Sequence, residues 1–328
     1  MPSERESKVP QSVLRAWRLT GKVTFLGNGL INDTYRVDDN FVLQRINSKV
    51  FDNPQAVVRN YQKIAPVLKG LIPRIIPTQK DEPFALDQTN EVWRLTEFCP
   101  GKSFNVLPGK WCFTAGLAFG EMLARLQNQM ISLEPVIQHF HRFEHYTSKL
   151  ENVYFKQPNL PELDKLREMR SGLGKFHSPE QVIHGDCKVD NLIFDPKSDR
   201  LCKVVDLDTV MWGQPAWDFG DLLRSIVTTG SKDRVRSSEL EQRMQDGCSG
   251  FFQYYTLPSE SSIDQFAEAP VYMSLMLATR FLTDHLSGSQ YFKTDFPEQN
   301  LVRAREQLNV AEWFQEHIVG LRELASVD

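Results

Sequence analysis

The residues best suited to chemistry cluster near the middle of the chain. Asp186 follows a short apolar run on a loop that begins at Gly185, and Asn191 comes five residues later. A second apolar run, after a polar hairpin, ends directly before Asp206. Two carboxylates and one amide are therefore expected at the ends of neighbouring short strands, where their side chains can converge on one point.

This set of side chains suits phosphoryl transfer. Mg²⁺ prefers hard oxygen ligands and keeps several waters, so the Asp206 carboxylate and the Asn191 amide suffice as protein ligands. Asp186 would accept a hydrogen bond from an acceptor hydroxyl and hold it in line with the γ-phosphorus of ATP. Because the ordinary pKa of an aspartate is about 3.9, orienting the hydroxyl is expected to matter more than early proton removal.

The same residues carry a family resemblance. The segments HGDCKVDN (His184–Asn191) and VDLD (Val205–Asp208) resemble the HGDxxxxN…D signature of aminoglycoside phosphotransferase-like kinases, relatives of the protein kinases. The resemblance implies a catalytic role for Asp186 and magnesium ligation by Asn191 and Asp206.

Two neighbouring residues join this predicted site. Lys188 occupies a position where many protein kinases keep a phosphate-contacting lysine, and it is predicted as a second catalytic residue. Asp208 replaces the glycine of a protein-kinase DFG segment and is predicted as a further metal ligand, with orientation of the catalytic loop as the alternative. The competing interpretation is that His184 and Gly185 only shape a turn and that the acidic side chains are solvated.

Nucleotide-binding residues are predicted in the first hundred positions. The hairpin that contains Gly27, Asn28, Gly29 and Asn32 could bring backbone N–H groups close to phosphates. By resemblance, the strand Phe41–Ile46 should carry the kinase lysine, but it reads FVLQRI.

Gln44 stands where that lysine is expected, and Arg45 is the nearest cation. Neighbouring residues of a strand face opposite ways, so only one of these two can face the nucleotide. Glu97 and Cys99 belong to the connector that would contact adenine through its backbone. For all these residues the alternative is an ordinary sheet.

The chain is predicted to be an α+β protein with a two-lobe protein-kinase-like fold. The amino-terminal nucleotide-binding lobe, residues 1–98, is predicted to form a small antiparallel sheet with one helix, Pro54–Lys69. A hinge at 99–101 leads to a larger, mainly helical lobe, residues 102–328, with the catalytic loop and the sugar site. Small-molecule sites usually form in clefts between lobes.

The predicted elements follow from the periodicity of the apolar residues. Strands are predicted at Val23–Leu26, Thr34–Val37, Phe41–Ile46, Val92–Phe98, Gln181–His184, Leu192–Phe194 and Leu201–Val205. Helical stretches are predicted at Gly109–Met130, Leu160–Gly174, Leu222–Thr228, Arg236–Tyr255, Ile263–Leu286 and Pro297–Leu324.

A second resemblance runs along nearly the whole chain. Blocks between about Gly21 and Glu316 look like N-acetylhexosamine 1-kinases. The carboxy-terminal blocks matter most, because aminoglycoside and choline kinases are not expected to share them. The resemblance implies ATP- and Mg²⁺-dependent phosphorylation of the anomeric hydroxyl of GlcNAc or GalNAc. The blocks are Gly27–Val37, Phe41–Asn47, Val204–Met211, Asp218–Asp221, Arg280–Phe292 and Phe296–Leu308.

The substrate-binding side chains are predicted around one apolar helix. Arg280 and Asp284 are four residues apart on it and share a face, and Tyr291 follows a turn at Gly288. An arginine, a carboxylate and a phenol offer directional hydrogen bonds to sugar hydroxyls, and aromatic rings can pack on a sugar's apolar face. Asp186 would meet the reacting hydroxyl. The alternative for Arg280 and Asp284 is an ion pair within the helix.

Two further features have competing interpretations. Asp218 is predicted either to cap the start of a helix or, by resemblance, to brace the catalytic loop. His139, His141 and Arg142 form a cluster whose role is structural or at the edge of the substrate. A metal site is disfavoured there because acidic or cysteine companions are missing.

Composition narrows the class of protein. The 328 residues are 41% hydrophobic and 24% charged, as expected of a soluble globular protein with a large core. A net charge of −4 without a basic block argues against nucleic acid or an anionic membrane as partner. The five cysteines are widely spaced and are predicted to be reduced thiols. The amino-terminal residues lack a continuous apolar run, so a signal peptide is not expected, and without a run of about 18 apolar residues a membrane span is not expected either. The chain is thus expected to be cytoplasmic, a monomer or weak homodimer, with ATP and a small-molecule sugar as partners.

Three other functions stay open. A kinase of the same chemistry could act on another sugar or an amino-alcohol hydroxyl. A non-catalytic nucleotide-binding module is supported by the missing lysine but opposed by the intact Asp186, Asn191 and Asp206. A magnesium phosphohydrolase would use similar acids but would not need a glycine-bearing hairpin lobe.

Overall fold

Short alternating strands and longer apolar helices produce the predicted α+β class. The computed structural model describes residues 9–26, 31–157, 159–198, 200–228 and 237–326. A small antiparallel sheet and a larger helical part make up these ranges, which confirms the predicted fold class. The predicted nucleotide-binding positions Gly27, Asn28 and Gly29 lie outside the described residues.

The amino-terminal sheet is antiparallel throughout, and its strands follow the order β1-β2-β3-β5-β4. Tyr35, Leu43 and Leu95 of three neighbouring strands belong to one buried hydrophobic cluster. In the register of β3 with β5, Gln44 lies opposite Arg94, so these two side chains share a face. The strands are β1 (Val23–Phe25), β2 (Asp33–Val37), β3 (Phe41–Arg45), β4 (Ala85–Leu86) and β5 (Val92–Glu97).

Two helices pack on this sheet, although only one was predicted. The short helix α1 (Gln11–Ala16), which was not predicted, adds its buried Val13 to the hydrophobic cluster of the sheet. The predicted helix is α2 (Pro54–Ile64). Asn53 caps α2 by accepting a hydrogen bond from Ala56 N at 3.2 Å, and proline is suited to the first helical position. Tyr61, on the buried face of α2, donates its hydroxyl to Pro73 O at 2.5 Å. α2 ends at Ile64, five residues before the predicted end at Lys69.

The central segment forms the predicted short strands. β6 (Gln181–Ile183) precedes the catalytic loop, and β7 (Leu192–Asp195) pairs antiparallel with β8 (Arg200–Val204). A single 3₁₀ turn, Leu207–Thr209, follows Asp206, and β9 (Met211–Gly213) comes next. The segment therefore places Asp186, Asn191 and Asp206 next to strand ends, as predicted.

The helical part differs from the prediction in three places. The helix α4 was not predicted, α6 begins seven residues before the predicted Leu222, and the predicted helix 297–324 is divided at His317. α8 packs against both α6 and α9. The helices are α3 (Cys112–Leu126), α4 (Phe143–Glu151), α5 (Pro161–Ser171), α6 (Pro215–Val227), α7 (Ser237–Phe252), α8 (Ser262–Leu286), α9 (Gln299–Glu316) and α10 (Ile318–Ala325).

The chain divides into two compact units. The described residues of 1–103, 125–138 and 191–212 form the sheet-containing unit, and those of 104–124, 139–190 and 213–328 form the helical unit. Asn191 and Asp206 thus belong to the first unit and Asp186 to the second. The predicted hinge at 99–101 stays a prediction. Within the described ranges, no helix has the length and apolarity needed to cross a membrane.

Candidate active site

The loop before Asp186 is fixed by a buried carboxylate. Asp218 accepts hydrogen bonds from the backbone N–H of His184 at 2.7 Å and of Gly185 at 2.8 Å. Asp218 lies inside α6, whose N-cap position is Gln214, so the capping interpretation is wrong. The two hydrogen bonds fit the alternative prediction, that Asp218 braces the loop before Asp186.

The same loop is held from its carbonyl side by a histidine. His141 Nε2 lies 2.6 Å from Gly185 O. Burial lowers the pKa of His141 to about 4, so its imidazole is neutral near pH 7 and Nε2–H donates to that carbonyl. The Gly185 peptides are therefore fixed on both sides, and Gly185 itself has a φ of 80°, which glycine adopts without strain. These contacts fit the structural role predicted for His141.

We expect the decrease of kcat at low pH to follow the protonation of Asp218. Burial raises the pKa of Asp218 to about 6, although hydrogen bonds from Gly185, His184 and Cys187 oppose that shift. Above pH 6 the carboxylate is ionised and accepts both backbone hydrogen bonds. As the pH falls below 6 one of its oxygens takes up a proton, one of the two backbone N–H groups loses its charged acceptor, and kcat should decrease.

Protein stability should respond in the opposite direction to this group. Because the folded-state pKa is raised, protonation of Asp218 between pH 6 and the ordinary aspartate value favours the folded chain. The titratable groups facing Asp218 are His184, Cys187 and Tyr255.

The variant Asp218→Asn tests this assignment. Its kcat should be lower than that of the wild type at every pH and should not show the decrease (the acid limb) near pH 6. An unchanged limb in this variant would assign the titration to another group.

The two predicted catalytic residues lie in contact. Lys188 Nζ is 2.9 Å from Asp186 Oδ2 and 3.9 Å from Asp190 Oδ2. The side chains of Asp186 and Lys188 are 27% and 25% exposed, so both remain open to a ligand. The Asp186 backbone N–H donates to His184 Nδ1 at 3.2 Å, which orients the loop from within. Asp190, whose pKa is raised by burial, is a neighbour that sequence reasoning missed.

The predicted metal ligands lie on two segments joined by a backbone hydrogen bond. Val205 N donates to Asn191 O at 2.9 Å. Asp206, the next residue, has φ 62° and ψ 49°, the left-handed region, which costs a non-glycine residue about 1–2 kcal/mol. Such a conformation persists only where the surroundings enforce it, and it is common at functional sites.

The donor set fits Mg²⁺. An amide and a carboxylate are hard oxygen donors, and Mg²⁺ in kinases needs only one or two protein carboxylates besides waters and phosphate oxygens. Among the described residues no group of three or more His, Cys, Asp or Glu side chains is arranged to hold a metal. The Asn191 amide and the Asp206 carboxylate would leave the remaining positions of Mg²⁺ to waters and phosphate oxygens.

Asp208 is engaged elsewhere. Its Oδ1 lies 2.5 Å from Arg94 Nη1, and its Oδ2 accepts a hydrogen bond from Asn32 Nδ2 at 2.6 Å. Both oxygens thus have protein partners, which favours the alternative role of orientation over the predicted metal ligation. Asn32, predicted to bind nucleotide, also accepts a hydrogen bond from Asn47 N at 3.0 Å.

On β3, the strand that is expected to carry the kinase lysine, Gln44 binds the side chain of Arg94 from the neighbouring strand β5. Gln44 Oε1 accepts hydrogen bonds from Arg94 Nε at 3.0 Å and Nη2 at 2.8 Å. Arg45 faces the other way and pairs with Asp33 across the sheet, with 43% of its side chain exposed. Sequence reasoning missed Arg94, although an arginine in the apolar strand VWRLTE was an available signal.

The predicted connector residues have partners inside the sheet-containing unit. The Glu97 carboxylate lies 3.5 Å from Lys203 Nζ and 3.8 Å from Arg74 Nε. The Cys99 thiol contacts the Cys202 thiol, and burial raises its pKa to about 12. The contact of Glu97 and Cys99 with adenine stays a prediction.

The predicted substrate arginine is surrounded by aromatic rings. The Arg280 guanidinium carbon is 5.3–5.7 Å from the centroids of four rings. These distances allow cation–π attraction. Within the described ranges no carboxylate lies at ion-pair distance from Arg280. The rings belong to Phe140, Tyr146, Tyr291 and Phe292.

Asp284 holds the loop that supplies two of these rings. Its carboxylate accepts hydrogen bonds from the backbone N–H of Gln290, Tyr291 and Phe292 at 2.8–2.9 Å. It also accepts one from Asn300 Nδ2 at 2.8 Å, so the interpretation as an intrahelical ion pair with Arg280 is wrong. Buried and fully partnered, Asp284 is suited to shaping the predicted substrate site rather than to touching a ligand.

Comparison with known proteins identifies the family. Residues 22–247 match the model of the phosphotransferase enzyme family. The chain belongs to this family. The matched range contains the predicted catalytic and metal residues of this phosphotransferase and ends before Arg280.

Solved structures with a similar fold include a choline/ethanolamine kinase family protein from Mesorhizobium loti, 19% identical with a TM-score of 0.62 over 97% of each chain. A microcompartment-associated aminopropanol kinase is 15% identical, with a TM-score of 0.66 over 94% of this chain and 97% of that one. The wild-type aminoglycoside 2'-phosphotransferase-IIIa, solved with GDP, is 17% identical with a TM-score of 0.60 over 88% and 92%. At these identities the likeness establishes the fold, and it confirms the predicted kinase-like class.

A curated relative matches over a shorter stretch. The mouse (Mus musculus) protein acyl-CoA dehydrogenase family member 11 is 34% identical over 65 residues. That stretch is 20% of this chain and 8% of the mouse protein, so the phosphotransferase corresponds to only a small part of that relative.

Proposed function

We propose that this phosphotransferase transfers the γ-phosphoryl group of ATP to the anomeric hydroxyl of an N-acetylhexosamine, GlcNAc or GalNAc, in a Mg²⁺-dependent reaction. The product is the sugar 1-phosphate. Family membership supports the phosphoryl transfer. Nucleotide use is supported by the GDP complex of the related aminoglycoside enzyme.

In this proposal each catalytic side chain has one task. Asp186 accepts a hydrogen bond from the sugar hydroxyl and directs its oxygen toward the γ-phosphorus. Lys188, paired with Asp186 at 2.9 Å, supplies positive charge beside the transferred group. Asn191 and Asp206 would hold Mg²⁺, which neutralises the charge of the triphosphate when it is bound.

The environment of Arg280 is the observation that supports an N-acetyl sugar as the acceptor. A guanidinium can only donate hydrogen bonds, so it suits carbonyl and hydroxyl oxygens such as those of an N-acetyl sugar. The hydroxyls of Tyr146 and Tyr291 lie on rings that flank it, and their ring faces can pack on a sugar. Because no carboxylate of the described residues neutralises Arg280, an ammonium group would be repelled there.

The positive charge of Arg280 favours a neutral sugar over the alternative acceptors. Choline, ethanolamine and aminopropanol, named for two of the structural neighbours, carry an ammonium or amine group. Aminoglycosides are polycations. Among the described residues Arg280 has no carboxylate at ion-pair distance, so an acceptor site centred on it is poorly suited to all of these cations, whereas a neutral sugar meets no such penalty.

The decisive experiment is a coupled ADP-release assay with Mg-ATP and a panel of acceptors. The panel contains GlcNAc, GalNAc, glucose, galactose, choline, aminopropanol and an aminoglycoside. We expect ADP release only with the N-acetyl sugars. Release with a cationic acceptor would overturn the assignment in favour of an amino-alcohol or aminoglycoside kinase. Release without acceptor would indicate a hydrolase, and no release at all would favour a nucleotide-binding module.

Substitution of Arg280 tests the acceptor site itself. Arg280→Gln removes the charge and two or more donors, so the KM for the sugar should rise about 10- to 100-fold, as expected for hydrogen bonds to a charged group. The KM for ATP should change less than about twofold. Steady-state kinetics with each substrate varied in turn measure both values.

The matched control is Arg322→Gln on α10. This arginine is exposed and pairs with Asp264 at 2.7 Å, so its loss should leave both KM values unchanged. If Arg280→Gln raised the KM for ATP as much as that for the sugar, the acceptor role of Arg280 would be wrong.

A further inference from the structure

A buried polar network joins four segments of the sheet-containing unit. Arg94 on β5 is 2% exposed and pairs with Asp208, which is 3% exposed. Gln44 on β3 accepts two hydrogen bonds from the same guanidinium. Asn32, ahead of β2, donates to the second oxygen of Asp208. The network therefore connects two strands of the sheet with the segment that follows Asp206.

Stability alone does not explain a buried ion pair of this kind. Removing two charges from water has a large free-energy cost, and replacing such pairs by apolar residues is often neutral or stabilising. Burial by itself would lower the pKa of Arg94, but the charge of Asp208, with smaller contributions from Tyr61 and Asp206, raises it. The guanidinium is thus charged and lies within the electrostatic reach of both Asp206 and Asp208.

Asp206, the predicted metal ligand, lies between two residues, Val205 and Asp208, that are held by contacts with other segments. On one side of Asp206, the Val205 N–H is bonded to Asn191 O. On the other side, Asp208 is held by Arg94 and Asn32. Asp206 itself has the unfavourable left-handed backbone, which needs such anchors to persist.

We propose that Arg94 acts through Asp208 to hold Asp206 in the orientation that binds the metal of Mg-ATP. Arg94 is a positioning residue, because its burial keeps it from touching the nucleotide. Gln44, which stands where the kinase lysine is expected, orients Arg94 on the shared face of the sheet. The inference rests on the proposed function in taking Asp206 as a metal ligand.

Three variants separate positioning from stability. Arg94→Met leaves the Asp208 charge uncompensated and Gln44 Oε1 without its donors, and Asp208→Asn leaves the Arg94 charge uncompensated, so each should lower Tm by about 5 °C or more. The double variant removes both charges, and its Tm should return to within about 3 °C of the wild type. Differential scanning fluorimetry without ligands measures these values and shows whether each variant folds.

The deciding readout is Mn²⁺ binding in the presence of a non-hydrolysable ATP analogue, measured by electron paramagnetic resonance. We expect Mn²⁺ affinity to fall about 10- to 100-fold in all three variants, including the double variant with restored Tm, as for residues that orient metal ligands. The control double variant Arg59→Met/Glu134→Gln removes another ion pair of the same unit, at 2.7 Å on its surface, and should bind Mn²⁺ like the wild type.

The outcomes distinguish this inference from the proposed function. If the wild type binds Mn²⁺ with the nucleotide and the double variant binds it equally well, the Arg94–Asp208 pair is only structural and the inference is wrong. If the wild type shows no nucleotide-dependent Mn²⁺ binding, the proposed function fails and the inference fails with it. No acceptor is needed in the experiment, so an error in the identity of the sugar would not affect it.

Discussion

Asp186→Asn is expected to reduce kcat by about 10²- to 10⁴-fold, the range typical of a positioned general base. The amide cannot take the proton of the acceptor hydroxyl and orients it poorly. The loop should keep its shape, because Gly185 is held by Asp218 and His141 rather than by Asp186. Binding of ATP, measured by isothermal titration calorimetry, should therefore change by less than about threefold.

A matched control exists for this substitution on α5. Asp164→Asn makes the same chemical change at a side chain that is 80% exposed, and it should leave kcat unchanged. Near-normal turnover of Asp186→Asn would show that the catalytic assignment is wrong.

Asp206→Asn should also lower kcat, by about 100-fold or more, because a divalent cation contributes several kcal/mol of charge stabilisation to such reactions. Asparagine tolerates the left-handed backbone that Asp206 adopts, so the variant tests the charge rather than the fold. The reduced activity should recover in part as the Mg²⁺ concentration is raised. Activity measured as a function of total Mg²⁺ at fixed ATP gives the shift.

Asp81→Asn is the control for this second variant. Asp81 is exposed and also left-handed, with φ 61°, so the substitution changes the same group in the same backbone conformation. It should not alter the Mg²⁺ dependence. A Mg²⁺ response of Asp206→Asn that equals that of Asp81→Asn would contradict the assignment of Asp206 as a ligand.

Local features of the fold were predictable from sequence where one rule dominated. The strands β2 and β3 are short β-prone runs separated by turn residues, so their positions follow from the pattern. The start of α6 was missed because the prediction began at the apolar run from Leu222, whereas Pro215 provides a favourable first helical residue. The helix α4 was missed because it is short: its FEHYTSKLE sequence has nine residues, of which only Phe143 and Leu150 are buried.

The candidate site was predictable only where its residues are close in sequence. Asp186 and Lys188 belong to one short motif and are indeed in contact. The Arg94–Asp208 pair joins residues more than a hundred positions apart, and it depends on the register of β3 with β5, which the sequence does not specify. For Asp284, helical spacing correctly placed it near Arg280, but hydrogen bonds from the following loop decided its partners.

We propose that Asp206 and Asn191 hold the metal and that Asp186 meets the sugar hydroxyl. The most direct measurement is the anomalous difference map of crystals grown with Mn²⁺, a non-hydrolysable ATP analogue and GlcNAc. We predict a Mn²⁺ peak at about 2.0–2.3 Å from Asp206 and Asn191 oxygens, with the anomeric hydroxyl at about 2.6–3.2 Å from Asp186. A peak bound by other residues, or an Asp186 carboxylate turned away from the sugar, would contradict the claim.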